Sequence, residues 1–191
     1  MDVQRHRTRA PDPRSLDVAA LARGGARIEG DWPLAELARL RSLVLEEAQG
    51  QPARVAWSAT GSTRSVTGGE AEPELWLELQ AQVPVRLQCQ RCLQPLAHEL
   101  ACERRLRFVR GAQEAERLDA QSEDDVLELL PRLDLRELVE DELILALPLV
   151  PRHAVCPEPL RAAPDDSAES SAGADAAHPF AALAALRRRP S

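Results

Sequence analysis

The chain is poor in aromatic residues and contains no lysine. Its 191 residues include no Tyr, two Phe, three Trp and one Met, and all 24 basic side chains other than His are Arg. We therefore expect a core built mainly of Leu and Val. No segment approaches the roughly 18 apolar residues of a membrane span, and no apolar run at the N-terminus suits a signal peptide. These absences predict a protein of the reducing cytoplasm, where the four Cys are thiols or metal ligands rather than a disulfide framework.

No arrangement typical of a catalytic centre stands out in the sequence. There is no Ser-His-Asp, Cys-His or paired-carboxylate constellation, and no Gly-rich phosphate loop follows a predicted strand. We therefore expect a protein that acts by binding and is not an enzyme.

The charge of the chain is distributed unevenly. The formal net charge is −7, yet residues 86–110 contain six Arg and only two Glu, whereas residues 122–142 contain nine acids and two Arg. Such polarity bears on binding partners rather than on the fold. The candidate contact residues for RNA or for a protein partner are Arg86, Arg91, Arg105, Arg107, Glu140, Asp141 and Glu142.

The clearest pattern predicts a long β-hairpin. Apolar and polar residues alternate over residues 75–89, and the alternation resumes over residues 96–108. Pro84 cannot donate a ladder hydrogen bond, so it predicts an edge, a bulge or a break. Arg104 interrupts the apolar phase and predicts a bulge in the second strand.

Shorter signals predict the remaining elements. Asp134 is suited to cap a helix that Pro148 ends. Glycines at Gly61, Gly68 and Gly69 indicate a loop region. The predicted elements are helices over residues 16–23, 31–44 and 134–147 and a strand over residues 54–59.

These elements together predict an α+β fold. We expect one antiparallel sheet, which could close into a barrel, with a few packed helices and disordered termini. The expected organisation is a disordered basic arm over residues 1–15, a single domain over 16–160, a flexible linker over 161–178 and a short helix with a basic end over 179–191.

Cys89 and Cys92 form a Cys-x-x-Cys knuckle at the predicted hairpin tip. Redox chemistry of the thioredoxin type needs a thiolate at a helix N-terminus, and the strand-like flanks disfavour it. A zinc site would need two more ligands, so from sequence we favour a metal-free turn over a zinc site. The candidate completing pairs are His153 with Cys156, which mirror the spacing of the knuckle, and His98 with Cys102, of which Cys102 also fits a core position.

The basic and acidic segments each allow two interpretations. Outward Arg side chains of the hairpin could bind phosphates while Trp76 stacks on a base, or they form a solvated face and a helix covers Trp76. The acidic segment is a solvated helix face or a landing site for a basic ribosomal protein. The acidity of the whole chain argues against strong nonspecific RNA binding.

The chain contains three short sequence motifs, one after the other. They are LQCQRC at residues 87–92 with His98 downstream, LDL at 133–135 with VEDELILALPLVP at 139–151 before His153 and Cys156, and PFAALAALRR at 179–188. Together they resemble the YceD family of bacterial large-ribosomal-RNA-subunit accumulation proteins over roughly residues 16–189.

The resemblance implies a non-enzymatic role in the synthesis, processing or stability of 23S rRNA. The implied partner is 23S rRNA or a precursor of the large subunit, contacted directly or indirectly. Further cysteines in some relatives suggest a complete metal site, with zinc as the candidate ion. The alternative function is an acidic chaperone or adaptor for a basic ribosomal protein that does not touch RNA, and a thiol oxidoreductase would require a reactive Cys89 of low pKa.

Overall fold

The computed structural model describes residues 11–45, 52–65 and 72–157. The predicted linker over 161–178 and the predicted C-terminal helix over 179–191 lie outside the described residues, as do residues 1–10 of the predicted arm. Pro13–Ser15, at the end of that arm, form a short 3₁₀ helix that Asp12 caps. None of the described helices is long and apolar enough to cross a membrane.

Five strands form one open, mixed sheet, so the α+β prediction is confirmed. The strands are β1 (Arg27–Pro33), β2 (Arg54–Arg64), β3 (Glu74–Gln88), β4 (Pro95–Val109) and β5 (Asp125–Glu128), in that spatial order. The first four are antiparallel to their neighbours, but β5 runs parallel to β4. The expectation of an all-antiparallel sheet is therefore wrong, because residues 110–124 supply the crossover that parallel pairing requires. The sheet does not close into a barrel, since β1 and β5 are its two edges within the described part of the chain.

Four α-helices accompany the sheet in the part of the chain that the structure describes. They are α1 (Val18–Gly24), α2 (Ala38–Leu43), α3 (Ala112–Asp119) and α4 (Leu135–Leu145). Gly25 ends α1 in the left-handed conformation, with φ of 56°, which glycine adopts without a steric penalty. Asp134 caps α4 by accepting hydrogen bonds from the backbone N–H groups of Arg136 and Glu137, as expected. Neither α3 nor β5 was predicted.

The predicted helix over residues 31–44 begins too early. Asp31 and Trp32 belong to β1, where they lie opposite Ala56 and Val55 of β2. The Trp32 ring stacks on Trp57 with centroids 4.5 Å apart. Strand pairing and this stacking outweigh the local capping signal, so a 3₁₀ turn over Leu34–Glu36 and the short α2 follow instead.

Gly61 lies inside β2 and not in a loop as expected. A Cβ atom there would stand 2.6 Å from backbone atoms of Leu21 and Ala22, so the glycine lets α1 approach the sheet closely. Gly68 and Gly69 lie outside the described residues.

The β3–β4 hairpin keeps the predicted faces without a bulge. Its register is continuous from Leu75 opposite Phe108 to Gln88 opposite Pro95. Pro84 lies beyond the part of β3 that pairs with β2, so this part of β3 is an edge and its missing N–H breaks no ladder. Arg104 stays in the inward phase, so the predicted bulge there is wrong.

The main core lies on the inner face of the sheet, beneath α1 and α4. Alternate residues of β3 are almost fully buried there, and α4 contributes the inner side of its apolar stripe. The most deeply buried contributors from these two elements are Leu77, Leu79, Val83, Leu135, Val139 and Leu143.

Candidate metal centre

The predicted knuckle forms the tip of the β3–β4 hairpin. Residues 89–94 connect the two strands, and the turn is closed by hydrogen bonds from Cys89 N to the Gln94 carbonyl at 3.0 Å and from Leu93 N to the Cys89 carbonyl at 2.9 Å. Leu93 has a φ of 60°, a conformation that a leucine adopts only when the surrounding turn imposes it. The tight turn places both thiols on the side facing the chain that follows α4.

The segment after α4 returns to the knuckle and supplies the second half of the cluster. Gln90 N donates to the Pro151 carbonyl at 2.8 Å, which aligns the two segments. This alignment brings His153 and Cys156 to Cys89 and Cys92, and one ligand atom from each of the four lies within 4.8 Å of the other three. Of the two candidate pairs, the structure therefore selects His153 with Cys156.

Two of the distances between ligand atoms are close to the edges of a tetrahedral zinc site. Zn–S bonds of about 2.3 Å and Zn–N bonds of about 2.0 Å imply tetrahedron edges of about 3.8 Å between sulfurs and about 3.6 Å between sulfur and nitrogen. The Sγ atoms of Cys89 and Cys156 are 3.9 Å apart, and Cys92 Sγ lies 3.4 Å from His153 Nδ1. All four Cys of the chain are free thiols. The Cys₃His group could therefore hold a metal ion.

His153 is oriented as metal-binding histidines usually are. Its Nε2 lies 3.1 Å from the Pro95 carbonyl oxygen, at the start of β4. When Nε2 carries the proton and donates to that carbonyl, Nδ1 has a free lone pair directed at the sulfurs. The backbone of the hairpin thus selects the tautomer that a metal would bind.

The environment of Cys89 favours the thiolate. Burial alone would raise the pKa of Cys89, but backbone N–H groups of Cys92, His153 and Arg91 stabilise the anion and lower the pKa to about 5. The N–H of His153 lies 3.5 Å from Cys89 Sγ. Burial, with a further contribution from Cys156, raises the pKa of Cys92 instead. A metal ion would remove this asymmetry, because coordinated thiols are deprotonated.

The burial of Cys89 disfavours disulfide exchange despite its low pKa. Its side chain is fully buried, and a thiol that exchanges disulfides must be accessible. Arg91 closes the other side of the cluster, since its Nε donates to Cys156 Sγ at 3.0 Å and its terminal nitrogen donates to the His153 carbonyl at 3.1 Å. This contact with Cys156 raises the pKa of Arg91.

The rival ligand pair lies elsewhere on β4. His98 is opposite Val85, and Cys102 is opposite Ala81. Neither belongs to the four-residue cluster. Cys102 packs against the core, and burial raises its pKa, as expected of a small core residue.

The Arg side chains predicted to contact RNA differ in their surroundings. Arg105 pairs with Asp124 at 3.0 Å and Arg107 with Glu74 at 2.8 Å. Arg91 belongs to the Cys₃His cluster, whereas Arg86 is half-buried without an ion-pair partner in the described ranges. Most of the charge on the sheet face is therefore neutralised internally.

Trp76 is not displayed for base stacking. It is 3% exposed, and its Nε1 donates to the Glu74 carboxylate at 3.0 Å. The guanidinium carbons of Arg64 and Arg105 lie 4.4 and 5.4 Å from its ring centroid. Two Arg side chains thus cover this Trp, where a helix was the alternative expected from sequence.

The three acids of α4 predicted to contact a partner are engaged within the fold. Glu140 is buried and accepts hydrogen bonds from the backbone N–H groups of Arg39 and Leu40, at 2.7 and 3.1 Å, so it caps the start of α2. Asp141 pairs with the Arg39 side chain at 2.5 Å. Buried Glu142 pairs with Arg104 at 2.7 Å.

A signal for this missed contact was present in the sequence. Arg104 occupies an inward position of β4, and a charge facing the core requires an opposite charge nearby. Glu142 meets that requirement, and the interaction raises the pKa of Arg104. The irregular phase at Arg104 was therefore evidence for an ion pair and not for a bulge.

The comparisons with known proteins agree with the motifs. The family described as "Large ribosomal RNA subunit accumulation protein YceD" matches residues 77–187, more than half of the chain but less than the 16–189 that the motifs suggested. A relative in Haemophilus influenzae with the same description is 41% identical over 75 residues, which cover 39% of this chain and 43% of the relative. The chain thus aligns with less than half the length of that relative. No solved structure matches the chain. The family match over most of the hairpin and all of α4 leads to one conclusion: this chain belongs to the YceD family.

Proposed function

We propose that this protein acts in the cytoplasm as a non-enzymatic factor for the accumulation of large-subunit ribosomal RNA, in the synthesis, processing or stability of 23S rRNA. Family membership supports this proposal, since the relative in Haemophilus influenzae is described as a large ribosomal RNA subunit accumulation protein. The Cys₃His cluster, in which the protein supplies all four ligand atoms, supports the non-enzymatic role in this proposal. A metal with four protein ligands has no open position for a substrate, which is typical of structural sites.

We propose zinc as the metal of this site. Three thiolates and one imidazole form a soft, tetrahedral ligand set, which zinc prefers. Cys89 and Cys92 would hold it from the hairpin, and His153 and Cys156 from the segment after α4. The ion would supply a cross-link between two segments about sixty residues apart in sequence, and therefore fix the chain after α4 against the hairpin.

The alternative of an acidic chaperone for a basic ribosomal protein receives less support. Glu140 and Glu142 are buried and satisfied by intramolecular contacts. Only Asp141 of the three is exposed, and it pairs with Arg39. A partner would have to displace these contacts before it could use the acids of α4.

Deletion of the gene in its own organism tests the proposed function. The ratio of 23S to 16S rRNA should fall, and wild-type protein supplied from a plasmid should restore it. Cys156→Ser should restore the ratio less well than Cys102→Ser, because only the first removes a proposed ligand. A normal 23S to 16S ratio in the deletion strain would contradict the proposed function.

A further inference from the structure

Two segments that flank the Cys₃His cluster contain no carboxylate side chain. We define the knuckle tip as residues 86–98 and 145–157, which surround the Cys₃His cluster. These 26 residues include three Arg and two His but no Asp or Glu, although the chain has 31 acids and a net charge of −7. A region that excludes carboxylates so completely in an acidic protein is suited to an anionic partner.

In the part of the chain that the structure describes, two of the three Arg side chains of the knuckle tip lack the ion-pair partners that Arg side chains of the sheet face have. Arg86 and Arg152 have no ion-pair partner within the described ranges, and Arg152 is exposed. Arg105 and Arg107, by contrast, are paired with Asp124 and Glu74. A phosphate at the tip would therefore meet guanidinium groups without first displacing a carboxylate.

The polar groups beside these cations suit RNA. Gln88, Gln90 and Gln94 are exposed, and each amide can donate to and accept from a base edge or a ribose hydroxyl. Together with the Arg side chains they offer groups for phosphate contacts and for base contacts within the knuckle tip.

We propose that the knuckle tip is the surface through which this protein binds large-subunit rRNA. Arg86 and Arg152 contact phosphates, and the exposed glutamines contact bases or riboses. This inference rests on the proposed function, since that function supplies the RNA. The metal contributes by holding Arg152, which directly precedes the ligand His153, beside the hairpin that carries Arg86.

The tip also exposes aliphatic side chains, which an RNA would use less than a protein would. Leu149 is fully exposed, Val155 is 85% exposed and Leu93 is 63% exposed. A protein partner would bury them, as interface cores do. We favour RNA because the tip lacks carboxylates and because Arg86 and Arg152 have no ion-pair partner within the described ranges, and the experiment separates the two partners.

The test is binding of the metal-loaded full chain to transcripts of 23S rRNA over a range of KCl concentrations. Each lost phosphate contact should weaken binding roughly five- to eightfold at about 0.1 M salt and reduce the slope of log K against log salt by about 0.7 to 0.9. The double variant Arg86→Ala/Arg152→Ala should show twice that change in slope. The matched control Arg105→Ala/Arg107→Ala should change affinity less than about twofold, because those charges are already neutralised. Equal losses in the two double variants would overturn the proposal.

Two further outcomes separate this inference from the proposed function. If deletion lowers 23S rRNA but the purified protein does not bind the transcripts, the surface assignment is wrong while the proposed function stands. If Leu149→Ser/Val155→Ser loses association with large-subunit precursors in cells and Arg86→Ala/Arg152→Ala keeps it, the tip binds a protein and the RNA proposal is overturned. If binding of the purified protein to transcripts depends on Arg86 and Arg152 but deletion of the gene leaves the 23S rRNA level normal, the result supports the binding surface and contradicts the proposed function.

Discussion

Thiols and an imidazole are concentrated at the knuckle tip, and carboxylates are concentrated where α4 contacts α2 and β4. The two groups of side chains differ in the interactions they make. At the tip, three thiols and an imidazole converge, and the Arg91 guanidinium contacts one of the thiols. At α4, each of the acids Glu140, Asp141 and Glu142 already meets an Arg. The acids of α4 thus complete the fold itself, whereas the tip keeps a group of ligand atoms that could hold a metal ion.

The largest effect on stability that we expect from this comparison is at Glu140. Its removal would leave the N–H groups of Arg39 and Leu40 without their acceptor inside the protein, so Glu140→Ala should lower the free energy of unfolding by about 2–4 kcal/mol. Urea denaturation measures this loss. Glu123→Ala is the control, because Glu123 is exposed, and it should change stability by less than about 0.5 kcal/mol. Equal stabilities of the two variants would show that the acids of α4 are a free surface after all.

A smaller effect is expected for the ion pair between Arg104 and Glu142. Glu142 is buried, but the Arg104 side chain is 43% exposed, and the solvent reduces the interaction. A double-mutant cycle with Arg104→Ala and Glu142→Ala should therefore give a coupling energy of roughly 1–2 kcal/mol, below that of a fully buried pair. A coupling energy near zero would remove this contact from the account of how α4 is held.

The smallest effect is expected for Arg105 and Asp124 on the sheet face. Both side chains are well exposed, at 48% and 35%. The coupling energy between them should be below about 1 kcal/mol and should decrease as salt is added. Thermal unfolding of Arg105→Ala, Asp124→Ala and the double variant, at low and high salt, measures it. A large, salt-independent coupling would mean that this pair is part of the scaffold in the same sense as Arg104 and Glu142.

The features that the sequence predicted are those encoded by neighbouring residues. The alternation of residues 75–89 determines which side of β3 is buried, because a strand displays successive side chains on opposite faces. Asp134 predicts the start of α4 because its side chain lies within reach of the N–H groups two and three residues later. The mirrored spacing of Cys89 with Cys92 and of His153 with Cys156 also allowed the ligand set to be named.

The features that the sequence did not predict depend on distant partners. The last three residues of β1, 31–33, were assigned to a helix because the pairing of β1 with β2 and the stacking of Trp32 on Trp57 are tertiary contacts. The partners of Glu140 lie about a hundred residues earlier in the chain, beyond any local pattern. For the same reason, the sequence left two pairs open as partners of Cys89 and Cys92, since only the fold brings His153 and Cys156 to them.

The direct test of the account is the metal content of the purified protein, measured by native mass spectrometry together with elemental analysis. We predict one zinc ion per chain in the wild type. The ion should be retained in Cys102→Ser and His98→Ala, because neither residue belongs to the cluster, and it should be lost or greatly reduced in Cys156→Ser and His153→Ala. Wild-type protein that stays folded and metal-free after growth and purification with zinc present, or loss of metal in Cys102→Ser equal to that in Cys156→Ser, would contradict the assignment of this site.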